Sequence, residues 1–516
     1  MTHMISRRNT LKSLVFGAAT LSGAFPSMWR TQAQSSDAFP NPLKIPTLSQ
    51  GTVIDGVRHF DLIIQEGSSL FLPGLRTPTW GVNGDYLGPT LQMQMGERVR
   101  LNVSNNLTEN SNLHWHGFLV PALSDGGAAL VVQPGETWRP EFEVVQRAST
   151  NWYHSHLMEH TGEQVYKGLA GMMIIEDGES AKLGIPGEYG VDDIPVIVQD
   201  RNFNQDGSFR YVTEYADMVK GIQGDTILVN GTVSPHFVAR THKLRLRILN
   251  AANARTFMFG FDDEREFLQI ASDGGLLETP LPRTRMILAP AERAEIIVDL
   301  SNGAPVTLLS HGIPNNYPDY PGAMSQFLRE IDTQSFEILS LRPQSQLEAS
   351  ADIAPRLAAV QRFNPKEAVR TRRLELMMGG GSRSGQDSGP HTGRRSGFGG
   401  GFGGGDFSIN GRRMTMNYIN ERVPLGDLEI WELHNRAPMT HPIHIHNAQF
   451  QILDRDGAAP PPEERGFKDT VRVLSGETVR LLVRFEHYRD EEHPYMYHCH
   501  MLEHEDRGMM GQFLLI

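Results

Sequence analysis

Residues 96–117 read GERVRLNVSNNLTENSNLHWHG. Val99, Leu101 and Val103 alternate with Arg98, Arg100 and Asn102, the period-two signature of a half-buried strand. A polar turn follows, and then a second short strand. The same shape recurs in HKLRLRILNAANARTFMFGF (242–261) and GDLEIWELHNRAPMTHPIHIHN (426–447). Three copies of strand, polar-capped turn and strand predict three similar β-sandwiches. Other segments alternate in the same way, including TWRPEFEV (137–144), RAEIIVDL (293–300) and ETVRLLVRF (477–485). Stretches with a period of 3.6 are scarce, so the expected fold class is all-β. The repeats place domains at 36–180, 190–342 and 370–516, with a linker at 343–369. Within the third, residues 379–406 are rich in Gly, Ser and Arg and cannot bury enough apolar surface to order themselves. They are expected to form an inserted loop.

Composition agrees with a turn-rich β protein. The 516 residues include 51 Gly and 31 Pro, and 39% are hydrophobic. A formal charge of -12 argues against nucleic acid or an anionic membrane surface as the main partner. The N-terminus, SRRNTLKSLVFGAATLSGAF (6–25), pairs Arg7 and Arg8 ahead of a moderately apolar run. It resembles a twin-arginine export signal, with cleavage expected after Ala33 and a mature chain in the bacterial periplasm. That run is too short and too rich in Gly and Ala to span a bilayer, and no other segment is apolar enough.

Histidine spacing is the most informative chemical feature. Ten of the 20 histidines fall in four clusters: HWH (114–116), HSH (154–156), HPIHIH (441–446) and HCHMLEH (498–504). In a strand, H-x-H sends both imidazoles to one face. The pairs His114/His116, His154/His156, His444/His446 and His498/His500 therefore offer eight imidazoles on four strands. If the first and third domains abut, all eight converge in one cleft. Without a metal they would be poorly satisfied polar groups; with one they are ordinary ligands.

Cys499, the only cysteine, lies between His498 and His500. Its sulfur faces away from them and belongs to a different metal. His441, His504 and Met509 are its candidate partners. Two His, one Cys and a weak axial Met make a blue-copper electron-transfer site. Zinc is the alternative for Cys/His sets, but Met is a poor zinc ligand. An electron reaching a copper on Cys499 could pass through a few covalent bonds to His498 or His500.

HWHG, WYHSH, HPIHIH and HCHMLEHEDRGM, in this order and spacing, resemble the motifs of the multicopper oxidases. The similarity extends to TGEQVYKGLAGMMIIED (161–177) and is nearest to the bacterial periplasmic laccases and cuprous oxidases of the copper-efflux type. It implies three cupredoxin-like Greek-key domains and four copper ions. His441, Cys499, His504 and Met509 would hold type 1 copper, and His114 and His444 type 2. His116, His154 and His500 would hold one type 3 ion, and His156, His446 and His498 the other. The implied reaction couples four one-electron oxidations to reduction of O2 to water. Asp125 and Glu505 match the family's proton-delivering acids. Their competing roles are a turn residue before Gly126 and a solvated charge.

The substrate is less legible. Efflux-type enzymes carry a methionine-rich segment early in the third domain and an acid shortly before HPxHIH. Here that segment is Gly/Arg/Ser-rich, and Ala437 stands where the acid would be. Met416 and Met439 are the candidate substrate-side residues, with core packing as the competing account. Arg383, Arg394, Arg395, Arg412 and Arg413 make the loop basic. Phenolic or aromatic-amine donors are therefore favoured over Cu(I). A copper-binding protein without turnover is the remaining alternative, and a monomer is expected by analogy.

Overall fold

The computed structural model describes residues 38–212, 214–314, 328–378 and 407–516. The expected export signal (1–33) and the Gly-rich loop (379–406), with Arg383, Arg394 and Arg395, lie outside the described residues.

The three repeated segments fold alike. Their first strands, Arg98–Asn105, Lys243–Asn250 and Leu428–Asn435, have equivalent neighbours. Each pairs in parallel with an earlier strand (Val57–Leu72, Asp193–Arg201, Arg370–Met378). Each pairs antiparallel with a later one (Glu141–Glu143, Arg293–Asp299, Thr478–Arg484). Each ends at a fully buried asparagine. The Oδ1 atoms of Asn105, Asn250 and Asn435 accept the N–H two residues on, at 3.0, 3.0 and 2.9 Å. Each Nδ2 donates to two carbonyls. This side-chain-built turn carries the chain from one sheet of the sandwich to the other. There it forms His114–His116, Phe257–Phe261 or His441–Ile445.

Among the described residues six sheets result, and each pair closes on its own apolar core. Leu101, Trp115 and Tyr153 lie in the first core, Leu246, Phe259 and Ile296 in the second, and Leu433, Ile443 and Cys499 in the third. The fold is all-β and cupredoxin-like, with short helices at Thr161–Lys167, Tyr215–Lys220 and Leu502–Glu505. Two details differ from the sequence expectation. Asn41–Pro42, expected in the first domain, pairs with Pro235 and His236 of the second sandwich. Strand Phe336–Glu348 runs past residue 342 into the expected linker. Asn41–Pro42 adds to the edge of a sheet in that sandwich, whereas Phe336–Glu348 lies inside the same sheet, and hydrophobic alternation registers neither pairing.

Candidate metal centre

Strand pairing sets the imidazoles facing one another. His114 lies opposite His154, and His444 opposite His498. Trp115 turns the other way, into the first core, as Ile443 and Cys499 do in the third. The outward rings of the first and third sandwiches meet. His114 stacks on His446 at 4.1 Å and His116 on His444 at 3.6 Å between centroids. Three imidazole trios form: His114, His116 and His444; His116, His154 and His500; His156, His446 and His498. In each, one ligand atom per residue lies within 4.8 Å of the others.

The fourth trio is His441, Cys499 and His504. Cys499 Sγ lies 3.3 Å from His441 Nδ1 and 3.8 Å from His504 Nδ1. The two Nδ1 atoms are 3.3 Å apart. Met509 is fully buried in the same core, and its carbonyl accepts the Cys499 N–H at 3.0 Å. Phe407 stacks on His504 at 4.3 Å, and His504 Nε2 donates to the Val219 carbonyl at 2.9 Å.

Proton placement favours metal binding. His114, His154 and His444 donate through Nδ1 to the carbonyls of Asp125, Ser155 and Asp469, at 2.8, 2.7 and 2.8 Å. Their Nε2 atoms are buried and have no hydrogen-bond partner. His116 is reversed: Nε2 lies 3.1 Å from Asp469 Oδ1, and Nδ1 is unpartnered. His156 Nε2 and His446 Nε2 each lie 3.2 Å from His498 Nε2. Burial first, then neighbouring imidazoles, holds His114, His116, His154, His444 and His446 below the usual histidine range, with His154 at about 3. At His156 burial outweighs the opposing Glu505 carboxylate and brings the ring to about 4. His504 is brought to about 4 by burial. At neutral pH the lone pairs are free. Burial pushes the Cys499 thiol well up, so a thiolate there needs a cation beside it. Unpartnered inward nitrogens and a buried thiol beside two imidazoles make a donor set that fits copper.

The two expected acids are at the imidazoles. Asp125 is 2% exposed, and its Oδ2 lies 2.7 Å from His446 Nδ1. Burial raises its carboxyl well above the usual range. Glu505, on the helix Leu502–Glu505, is 1% exposed. It lies 3.3 Å from His156 Nδ1 and 3.1 Å from His498 Nδ1. The substrate-side methionines separate: Met416 is 42% exposed, whereas Met439 is 1% exposed and packs in the third core. Sequence reading missed Asp469, Arg293 and Val219. Asp469 lies in a KDT run without histidine, Arg293 is in the second sandwich, and Val219 acts through its main chain. No spacing rule marks any of them.

Comparison with known proteins gives the family. Multicopper oxidase family models match residues 64–180 and 390–515. The chain is 35% identical to "Multicopper oxidase mco" of Staphylococcus haemolyticus, covering 89% of this chain and 88% of that protein. It is also 35% identical to "Cell division protein FtsP" of Escherichia coli K12, over 99% of both chains. Among solved structures, a laccase-like multicopper oxidase CueO from Ochrobactrum sp. superposes with a TM-score of 0.79. It is 34% identical, covering 92% of this chain and 100% of that one. That protein is described as an oxidase acting on lignin model compounds and lignosulfonate. With clustered, buried metal-competent donors on a cupredoxin fold, and this degree of identity along nearly its whole length, the chain belongs to the multicopper oxidase family.

Proposed function

We propose that the protein is a laccase-like oxidase that couples four one-electron oxidations of a phenol or aromatic amine to reduction of O2 to two waters. His441, Cys499, His504 and Met509 would hold one copper, and His114 and His444 a second. His116, His154 and His500 would hold a third, and His156, His446 and His498 a fourth. The bound copper ions supply the one-electron chemistry. The observation that carries this reading is the set of buried, unpartnered nitrogens on His114, His116, His154, His444 and His500.

The chain itself contributes a path, protons and exclusion of water. Cys499 is bonded through the main chain to His498 and His500, so a short covalent route joins the thiol to two imidazole trios. Asp125 holds a proton against His446. At Glu505 burial is outweighed by the imidazoles of His156 and His498, which hold the carboxyl well below its usual range, so it faces those two rings as a proton acceptor. Nearly complete burial of every donor keeps bulk water away. Arg7 and Arg8 support export of the folded protein to the periplasm, and no helix among the described residues is long and apolar enough to cross a membrane. The family and the charge favour a monomer with O2 and a small-molecule donor as its partners.

A cuprous or other metal-ion oxidase is a second reading, favoured by the exposed thioether of Met416. A cell-division role without turnover is a third, favoured by alignment with FtsP over 99% of both chains. Oxygen uptake by the copper-loaded protein, with a phenol and separately with Cu(I), tests all three. Rapid uptake with the phenol is expected. Uptake with Cu(I) alone would move the assignment to metal oxidation, and none with either donor would remove the oxidase reading.

A further inference from the structure

The second sandwich supplies no imidazole to the metal centre, yet one of its arginines reaches it. Arg293 begins the strand Arg293–Asp299 and is 1% exposed. Its Nη1 and Nη2 donate to Oδ1 and Oδ2 of Asp469 at 2.7 and 2.6 Å. Two parallel prongs fix the plane of a carboxylate as well as its charge. The same guanidinium donates to the carbonyls of Thr150, Ala291 and Asp273 and to Asn151 Oδ1. It is thus tied to the first and second sandwiches while it holds a residue of the third.

Asp469 passes this on to two imidazoles. Its Oδ1 lies 3.1 Å from His116 Nε2, and its carbonyl accepts from His444 Nδ1 at 2.8 Å. A carboxylate paired with arginine offers only acceptors. His116 must therefore carry its proton on Nε2 and turn Nδ1 inward, the reverse of His114, His154 and His444. Main-chain carbonyls set those three rings, whereas the reversed ring depends on side chains: Asp469, and at the same 3.1 Å the Thr470 hydroxyl, which itself donates to Asp469 Oδ1 at 3.0 Å. Gly117, the glycine of HWHG, leaves room for the arrangement. A Cβ there would lie 2.5 Å from Asn151 Oδ1, 2.6 Å from Asp469 Oδ2 and 2.8 Å from Arg293 Nη2.

We propose that Arg293 and Asp469 are positioning residues: a clamp from the second sandwich that selects which nitrogen His116 presents to a metal and steadies His444 beside it. This rests on reading His116 and His444 as ligands, so the first test needs no metal. In the copper-free, ¹⁵N-histidine-labelled chain, long-range ¹⁵N–¹H spectra are expected to show His116 as the Nε2–H tautomer. The double variant Arg293→Met/Asp469→Leu replaces a buried pair by apolar side chains, which is commonly tolerated. Lys468, 2.7 Å from Asp273, keeps that acid paired. In this variant His116 is expected to become a tautomer mixture. Copper retention at the imidazole sites should weaken by about 10-fold or more, while the blue absorption of the Cys499 site persists. Arg293→Lys keeps the charge, removes one prong and should move the same signals less. Arg245→Met is the control, because Arg245 is also buried but pairs with Glu295 and has no hydrogen bond to an imidazole. Unchanged His116 signals and copper retention in both Arg293 variants would overturn the clamp, as would equal changes in Arg245→Met. If the tautomer responds as expected but no form binds copper, the clamp stands and the oxidase reading fails.

Discussion

Cys499 joins the two halves of the centre because a strand has two faces. Its sulfur enters the third core beside His441 and His504, and the flanking imidazoles enter the trios on the other face. Replacing it by serine removes the soft donor and leaves the imidazoles untouched. Cys499→Ser is expected to lose the intense blue absorption and all turnover while retaining copper at the imidazole sites. A blue, active Cys499→Ser protein would sink the assignment. Asp125 acts differently. Its carboxyl, raised by burial, holds a proton 2.7 Å from His446 Nδ1. Asp125→Asn keeps the shape and cannot deliver that proton. It should slow O2 reduction by roughly 10²-fold or more and leave the blue band, as stopped-flow reoxidation would read.

The asparagine-built turn is the element from which each sandwich grows. Asn435 binds the Met439 carbonyl two residues ahead of His441, so this turn sets where HPIHIH begins. Removing its amide leaves buried carbonyls and the Ala437 N–H without partners, at about 1–3 kcal/mol each. Asn435→Ala should lower stability in denaturant unfolding and also broaden or shift the blue absorption. Asn250→Ala, in the equivalent turn of the second sandwich, should cost similar stability with an unchanged spectrum. The strand that follows this turn, Phe257–Phe261, carries no histidine. Equal spectral changes in both variants would show that the turn does not set the metal-binding strand.

Across the molecule, buried ion pairs tie the sandwiches together. Glu295 of the second accepts from Arg245, Arg247 and, at 2.7 Å, Thr150 of the first. Burial alone would raise its carboxyl, but the two arginines and the hydroxyl outweigh it and hold the group at about 2, below its ordinary 4.5. A depressed acid stabilises the folded chain above its unfolded value and loses that contribution as pH falls through the folded one. The stability difference between the wild type and Glu295→Gln should be constant above about pH 5 and shrink toward pH 2. Denaturant titrations read it, and a difference independent of pH over that window would refute the role. The buried imidazoles add a separate loss. The unfolded chain takes up their protons below about pH 6.5, where the folded chain does not.

Much of this protein was legible before any coordinates, because its two periodicities are local. Alternation along 98–103 and its repeats announced sandwiches, and H-x-H with an intervening cysteine announced imidazoles on one face and a thiol on the other. Local patterns do not encode partners from other strands. The pairing of Asn41–Pro42 with the second sandwich, the carbonyl of Val219 on His504 and the reach of Arg293 to Asp469 join residues up to about 285 positions apart. Such contacts depend on how three separately built cores dock, and docking is set by surfaces that no single segment contains. The chain's pattern thus chose the donors and the faces they occupy. The packing of the sandwiches against one another chose which donors meet, which nitrogen each presents and which buried charges hold them there.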